Sequence, residues 1–346
     1  MDRSAKHLVL LAFALAIALV LVWKLWEVFL LTYASILFAV ILRGISTWIF
    51  RHTRLTSQAA YVAVVLGILL ICGIAVWLIA PRTITEMALI FKEIPQALTV
   101  ARESLSQQPW GKQLMEGVSR ILNRLDIGVK AARWAGSVSE GIAGLAIIVV
   151  VGFFLALEPQ LYREALLRLF PEHQRGRMRR LCDEIAYVLH WWLLGQLVPM
   201  VFLGVATMIG LWILNVPLAF TLGLFTGVMI FIPYLGAILS EIPAVLIALL
   251  QGPGKMVEVI LLYLAVHCLE AYVLTPIVQK RAIRLPPALT ILSQVLMLSL
   301  TGIFGIALAT PLAATVIVIV KELYLHEPSP RALQTIQPPP STRLPS

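Results

Sequence analysis

Long apolar runs separated by short polar segments extend along almost the whole chain. A helix needs about 20 apolar residues to cross a bilayer core of about 30 Å, so a run of roughly that length predicts a membrane span. We predict one span in each run that comes close to this length. These runs are residues 8–23, 26–42, 59–80, 141–157, 187–214 and 257–279.

Two further apolar runs, residues 218–250 and 288–320, are too long for one upright span and too short for two spans with a turn. The stretch "GVMIFIPYLGAILSEIPAVLIALL" in the first run is interrupted by proline and glycine. We predict that each run forms a helical hairpin, with tips near Pro233–Ser240 and Thr301–Gly305. Non-helical backbone is tolerated at membrane depth where protein covers it or it lines a cavity. Ordinary spans kinked by proline are the alternative.

Clusters of lysine and arginine indicate which loops face the cytoplasm. A single crossing by residues 218–250 would place the cluster Lys280–Arg284 outside, whereas a hairpin keeps it inside. The charges therefore predict that the two hairpins open from opposite faces and that both termini are cytoplasmic. The clusters used are Arg3–Lys6, Arg43–Arg54, Arg163–Arg180, Lys280–Arg284 and the basic residues from Lys321 onward.

Residues 82–140 form a polar insert in which apolar positions recur with the period of a helix. We predict amphipathic helices on the outer face, packed on the bundle or on another subunit, because about 60 residues are too few for a sturdy separate domain. The predicted organisation is N-terminal membrane helices (1–81), extracytoplasmic insert (82–140), membrane helix with cytoplasmic linker (141–186), transport core (187–322) and disordered proline-rich cytoplasmic tail (323–346).

The composition supports the same fold class. The 346 residues are 60% hydrophobic and 13% charged, whereas soluble domains are about 45–50% apolar and about 25% charged. We therefore predict an all-α, polytopic integral membrane protein with about eight membrane helices. The net charge of +9 lies in short clusters and not in a basic stripe, which argues against a nucleic-acid partner.

Motifs for common enzyme chemistry are absent from the sequence. It contains no HExxH zinc motif, no GxSxG nucleophile motif, no Walker phosphate loop and no GxGxxG. Cys72, Cys182 and Cys268 are far apart and give neither a metal site nor a disulfide framework. We therefore expect no enzymatic activity, no metal or other cofactor, and no ATP-driven transport by this chain alone.

Glu270 is the strongest candidate for chemistry at membrane depth, because it lies near the middle of the span 257–279. An acidic side chain there costs about 2.5–3.5 kcal/mol and usually faces a cavity or a partner. His267 lies three residues earlier and therefore on the same helix face. We predict that the two side chains couple transport to protons or another ion. The alternatives are a structural hydrogen bond for Glu270 and a packing role for His267.

Other polar or helix-breaking residues also interrupt the apolar runs. Glu241 ends the first predicted tip, where it faces either a cavity or the free amides of a helix N-terminus. Gln196 and Gln294 are uncharged, and they either bind substrate or pair helices. The positions expected to contact substrate at the hairpin tips are Pro233, Tyr234, Gly236, Gly302 and Gly305.

Four motifs occur in order along the chain: "GQ" at 195–196, "NVPLAFTLGLFTGVMIFIPYLG" at 215–236, "EAYVLTPIVQ" at 270–279 and "GIFGIALATPLAA" at 302–314. With them the sequence resembles the autoinducer-2 exporter family of bacterial membrane permeases over most of its length. The resemblance implies an inner-membrane protein of about eight helices with a polar insert after the third. It also implies export of autoinducer-2 for some members and sodium- or lithium-proton exchange for others.

The family motifs are matched residue by residue at most positions. This sequence departs from the pattern at Ala271, where asparagine is expected, and at Pro286–Pro287, where His-Pro is frequent. A lost ligand at either position would change substrate choice. The matching positions are Pro233, Tyr234, Gly236, Glu270, Pro276, Gly302, Gly305 and Pro311.

The leading interpretation is a secondary transporter that exports a small polar solute, such as an autoinducer-2-like signal, across the bacterial inner membrane. Its expected partners are the solute, a coupling H+ or Na+ ion, membrane lipid and further copies of the chain. The first alternative is a monovalent cation/proton antiporter that uses Glu270 and Glu241 as its ion site. The second is a membrane scaffold without transport activity, whose insert at 82–140 binds partners.

Overall fold

The computed structural model describes residues 3–53, 61–70, 127–274 and 285–325, with a few short pieces between residues 56 and 99. Every regular element in this part of the chain is helical. The helices are α1 (Arg3–His52), α2 (Tyr61–Leu70), α3 (Ile127–Leu157), α4 (Pro159–Arg168), α5 (Glu172–Ile213), α6 (Ala219–Met229), α7 (Leu235–Leu250), α8 (Pro253–Leu269) and α9 (Pro287–Val320), with π-helical turns at Glu270–Leu274 and Lys321–Leu325.

Several of these helices are long and apolar enough to cross a membrane, which confirms the all-helical, multi-pass class. Four helical segments of the described residues qualify, or five if the pair bent by 85° between α3 and α4 counts as one span. The described part of the predicted span 59–80 is mainly α2 (Tyr61–Leu70), whereas the insert 82–140 lies mostly outside the described residues. The four segments are Leu25–His52, Glu172–Ile213, Pro253–Leu274 and Phe304–Leu323.

The prediction of two separate spans at 8–23 and 26–42 is wrong, because α1 runs without a break from Arg3 to His52. At 1.5 Å per residue its 50 residues extend about 75 Å, more than twice the thickness of a bilayer core. The sequence has no proline or glycine before Gly44, and Lys24 and Glu27 are good helix formers. Two crossings by spans 8–23 and 26–42 would return the chain to the side of its N-terminus. A continuous helix does not make this return, so this part of the argument for both termini on the same side is removed.

Helix α5 is the central scaffold of the described fold, and it packs closely against α6. A Cβ atom added to Gly204 of α5 would lie only 3.1 Å from the Cα atom of Gly227 in α6. Small residues at such positions let two helix backbones approach within a membrane. The turn between α5 and α6 contains Asn215 and Leu218 with positive φ angles of 55° and 62°.

Helices α6 and α7 fold back on each other as a hairpin. Ala219 and Leu222 at the start of α6 share a buried cluster with Ala244, Ile247 and Ala248 near the end of α7. The chain therefore reverses between the two helices, within the run 218–250. The 11 residues of α6 extend about 16 Å, or about half of a bilayer core.

Helix α9 also reverses, at Gly302. This glycine has φ 68° and ψ −146°, which interrupts the helix between a first arm, Pro287–Gly302, and a second arm that begins at Phe304. A Cβ atom on Gly305 would lie 2.6 Å from the carbonyl oxygen of Met297. In a straight helix, residues eight positions apart are separated by about 12 Å. The chain thus doubles back within the predicted tip at residues 301–305.

The two hairpins open at opposite ends of α5. The base of the α6–α7 hairpin shares a cluster with Leu211, close to the C-terminal end of α5. Leu285, which precedes α9, packs with Ile319 and Leu323 in a cluster that contains Met178 of the N-terminal part of α5. The arrangement of the hairpins relative to each other is therefore the one that the charge clusters predict.

One described contact joins the insert to the bundle. The hydroxyl group of Thr221, near the start of α6, donates a hydrogen bond to the carboxylate of Glu86. Because the start of α6 lies at the C-terminal end of α5, Glu86 lies at that end too. At this point the insert packs on its own bundle.

Candidate functional site

Three residues at positions 233, 234 and 236 produce the break between α6 and α7. Pro233 has no amide hydrogen, Tyr234 has φ 64° and ψ −59°, and the amide of Gly236 donates to the carbonyl of Ile232 at 2.8 Å. A Cβ atom on residue 236 would collide with the carbonyl of Met229, so only glycine fits. The break leaves carbonyl groups that need partners outside the helix. We call residues 230–236 the first tip.

Two glutamine side chains supply partners for the first tip. The side-chain amide of Gln196, from α5, donates a hydrogen bond to the carbonyl of Ile230. Nε2 of Gln294, from the first arm of α9, donates to the carbonyl oxygen of Pro233 at 2.9 Å. The scaffold helix and the second hairpin therefore meet at the broken backbone of the first hairpin.

Only one of the two polar atoms of the Gln294 side chain is used in the contact with Pro233. Its side chain is 0% exposed, and its Oε1 atom has no hydrogen-bond partner among the described residues. A buried acceptor without a partner costs about 1–3 kcal/mol. This oxygen is thus a buried acceptor beside the first tip that has no partner among the described residues.

Apolar side chains enclose the contact between the hairpins. The rings of Trp192 and Phe231 meet edge to face with centroids 5.7 Å apart. Trp192 also belongs to a cluster with Met297 of the first α9 arm and Leu308 of the second. The same cluster includes Leu30, Tyr33 and Leu37 of α1, so α1 packs directly against the site. Polar contacts here are shielded from bulk water.

A second group of polar side chains links α6, α7 and α8. Nε2 of His267 lies 3.1 Å from Oε1 of Glu241, and the ring of His267 lies 6.3 Å from that of Tyr263. The hydroxyl of Tyr263 is 3.0 Å from Oγ1 of Thr226. Tyr263 and Thr226 are fully buried, whereas the side chain of Glu241 is 38% exposed. The group therefore extends from the buried hydroxyls of Tyr263 and Thr226 to the partly exposed carboxylate of Glu241.

The sequence-predicted site residues separate into two places. Gln196, Gln294 and Pro233 come together at the first tip. Nε2 of His267 lies within ion-pair distance of Glu241 across α7 and α8, a neighbour that the sequence did not assign to it. Tyr234 and Gly236 belong to the first tip itself, and Gly302 and Gly305 belong to the second.

Those remaining positions differ in exposure. Tyr234 is half exposed, and Gly302 and Gly305 form the second tip. Glu270 begins the π-helical turn and takes part in a polar interaction of its own. Pro276 lies outside the described residues.

Sequence reasoning missed Tyr263 and Thr226 of the second group and Trp192 and Phe231 at the tip. Tyr263 had a detectable signal, because it lies four residues before His267 and hence on the same helix face. Thr226 had a weaker one, as a hydroxyl group in an apolar run. The contact between Trp192 and Phe231 joins two helices and has no local sequence signal.

Comparison with known proteins gives a consistent result. The model of the family described as "AI-2E family transporter" matches residues 8–325. "Putative transport protein YueF" of Bacillus subtilis is 24% identical over 326 residues, which cover 87% of this chain and 86% of the relative. "Putative transport protein YhhT" of Escherichia coli is 22% identical over 320 residues, 90% of each chain. The match to YrrI of B. subtilis, 26% identical, covers 56% of this chain and only 57% of that relative.

Proposed function

The chain belongs to the AI-2E transporter family, and on this premise we propose that it is a secondary transporter for a small polar solute in the bacterial inner membrane. The observation that carries the proposal is the meeting of two hairpins of opposite orientation at one broken backbone. Gln196 and Gln294 hold the carbonyls of Ile230 and Pro233 there. Transporter folds commonly place their sites where discontinuous helices of inverted elements meet near the midplane.

The chemistry of the first tip favours a neutral solute that carries hydroxyl groups. Its polar groups are carbonyls, two side-chain amides and the phenol of Tyr234, and none of these carries a charge. A hydroxyl group can replace each glutamine contact, because it both donates to a carbonyl and accepts from an amide. An autoinducer-2-like signal is the candidate that the family suggests, with export as the direction of transport.

Movement of the second hairpin would open the site to one side at a time. Withdrawal of Gln294 from the Pro233 carbonyl separates the hairpins on one face, while the Gln196 contact stays in place. Tyr234, Gly236 and Gly302 absorb the change in backbone angles, because hinges are a few residues at element ends. Alternating access of this kind fits hairpins that open at opposite ends of α5.

The ion pair between Glu241 and His267 is the proposed coupling site, with Glu270 in the following π-helical turn as a third titratable group. Only a protonated histidine forms an ion pair with a carboxylate, so proton gain and loss would change the contact between α7 and α8. The same pair supports a second candidate function, monovalent cation/proton exchange. Assembly of several copies of the chain stays a prediction from the sequence.

The proposal is tested by transport in proteoliposomes with a pH gradient and a radiolabelled autoinducer-2 preparation. We expect Gln294→Leu and Gln196→Leu to reduce solute flux about tenfold or more, since each leaves a tip carbonyl without its partner. Gln174→Leu is the matched control, because Gln174 is exposed near the start of α5.

Three results would contradict this function. If both tip variants kept the wild-type flux, transport would not depend on the contacts of the two glutamines. Sodium-stimulated proton flux without any solute flux would favour the antiporter. No flux of either kind would favour the scaffold.

A further inference from the structure

A cavity of about 840 Å³ lies between α1, the α3–α4 bend and α5. None of the first-tip or second-tip residues lines it, so it is separate from the proposed solute site. Its volume lies within the range of about 300–1,000 Å³ that is usual for small-molecule sites. It is a place where a ligand of some size can be held against three helices.

The lining changes in character along the cavity. Ile36 and Val40 of α1, with Leu194 of α5, make one end apolar. Arg43 and Arg51 lie further along α1, toward its C-terminal end. The 15 residues from Ile36 to Arg51 correspond to about 22 Å of helix. The cavity is therefore amphipathic, with an apolar end and a cationic end.

The two arginines of the cationic end have no acidic counterpart in the described part of the lining. Arg43 and Arg51 line the cavity, and no aspartate or glutamate of the described residues does. The Nε atom of Arg43 is buried and has no hydrogen-bond partner among the described residues. A guanidinium group near an apolar membrane segment is costly unless it is paired. The observation points to an anion that comes from outside the chain.

Aromatic side chains occupy the same end as the cations. Trp48 is 62% exposed, and Tyr162, Tyr187 and Trp191 also line the cavity. Tryptophan and tyrosine concentrate at the level of lipid headgroups, with one part in apolar and one part in polar surroundings. The cationic end thus has the chemistry of the membrane interface, and the apolar end that of the acyl chains.

We propose that this cavity binds one anionic phospholipid, with its phosphate at Arg43 and Arg51 and an acyl chain along Ile36 and Val40. A soluble phosphoester would use the cationic end alone and leave the apolar end empty, whereas a phospholipid matches both. Tyr162 of the lining is followed by Arg163, whose guanidinium pairs with Asp183 in the N-terminal part of α5, in the region that the charge pattern assigns to the cytoplasm. The cytoplasmic leaflet is rich in anionic lipid, and basic pockets between membrane helices bind such headgroups.

Binding of defined lipids to the purified full-length protein in a neutral detergent tests the proposal. The probes are dioleoylphosphatidylglycerol, zwitterionic dioleoylphosphatidylcholine and free glycerol 3-phosphate, with native mass spectrometry and Tm as the readouts. We expect phosphatidylglycerol to bind at least about fivefold more tightly than phosphatidylcholine, and Arg51→Ala to weaken it about fivefold. Arg51 is exposed, so this variant is expected to fold.

Arg179→Ala is the matched control, since Arg179 is exposed on α5, carries the same charge and does not line the cavity. Arg43→Gln, which keeps most of the side-chain volume, is expected to weaken phosphatidylglycerol binding as Arg51→Ala does. Equal binding of the two lipids, or an equal loss in Arg179→Ala, would overturn the proposal. Binding of glycerol 3-phosphate as tight as that of phosphatidylglycerol would overturn it in favour of a soluble phosphoester.

Discussion

Two glutamine side chains determine the polar contacts of the first tip. Gln196 and Gln294 satisfy backbone carbonyls that the helix break exposes, and they do so without introducing a charge at membrane depth. A charged side chain in the same place would cost about 2.5–3.5 kcal/mol or need a counter-ion. The titratable groups are instead gathered in the Glu241–His267 pair, next to a partly open surface. In the proposed function, solute recognition and ion coupling therefore fall to different residues.

Glu241→Gln tests the coupling role at the residue scale. The side chain of histidine changes its protonation state near neutral pH, and only its charged form makes an ion pair with the carboxylate. Because the proposed coupling works through proton gain and loss at this contact, removal of the carboxylate charge should flatten the dependence of solute flux on pH. The measurement is initial flux in proteoliposomes at several pH values.

Glu258→Gln is the control, because it removes the same negative charge from the neighbouring helix α8. Glu258 lies on α8 and makes a surface ion pair with Lys255 at 2.6 Å, outside the proposed coupling site. Surface pairs of this kind contribute about 0–1 kcal/mol, so this variant should keep the wild-type pH profile. An unchanged profile in Glu241→Gln would refute the coupling role of the pair.

At the scale of elements, the helix breaks were predictable because their causes are local. Proline at 233, glycine at 236 and glycine at 302 mark both reversals in the sequence, and the structure has its breaks there. The continuity of α1 was equally local, because Lys24 and Glu27 both favour helix, but the length of the apolar runs was interpreted as two spans, 8–23 and 26–42. The π-helical turn that begins at Glu270 has no comparable sequence signal.

Gly236→Ala and Gly302→Ala test the two breaks. An alanine at 236 would meet the carbonyl of Met229, and Gly302 has φ 68° and ψ −146°, a conformation that L-residues rarely adopt. We expect each change to lower the free energy of unfolding by about 1–3 kcal/mol. The readout is the unfolding midpoint of the purified protein in detergent.

The control for both glycine variants is Gly176→Ala. A Cβ atom at this position in α5 meets nothing within 4 Å, and alanine favours helix over glycine by about 1 kcal/mol. This variant should be as stable as the wild type or slightly more stable. Full stability of Gly236→Ala or Gly302→Ala would show that the corresponding break does not have the described backbone.

At the scale of the whole molecule, length and charge together predicted two hairpins that open in opposite directions. Neither property could predict that they meet, because the contacts of Gln196 with Ile230 and of Gln294 with Pro233 join distant parts of the chain. The pairing of Glu241 with His267 was missed for the same reason, since it depends on the packing of α7 against α8. The cavity beside α1 likewise exists only once three helices have assembled.

The opposite orientation of the hairpins makes a prediction about sidedness in the membrane. In a variant that lacks Cys72, Cys182 and Cys268, single cysteines are placed at Gly254 and at Ala288. Gly254 lies at the start of α8, beside the base of the first hairpin, and a Cβ atom there meets nothing within 4 Å. Ala288 is exposed at the base of the second hairpin. A membrane-impermeant maleimide should label the two positions from opposite sides.

A third cysteine at Gly176 separates the hairpin from a simple crossing. Gly176 lies near the start of α5, and a Cβ atom there is also free of neighbours within 4 Å. If α5 crosses the membrane and residues 218–250 return to the face they entered, Gly176 and Gly254 are labelled from opposite sides. If residues 218–250 crossed completely, the two would be labelled from the same side. If all three positions were labelled from one face, the two hairpins would not open in opposite directions. The proposed transport site depends on that arrangement and would be contradicted.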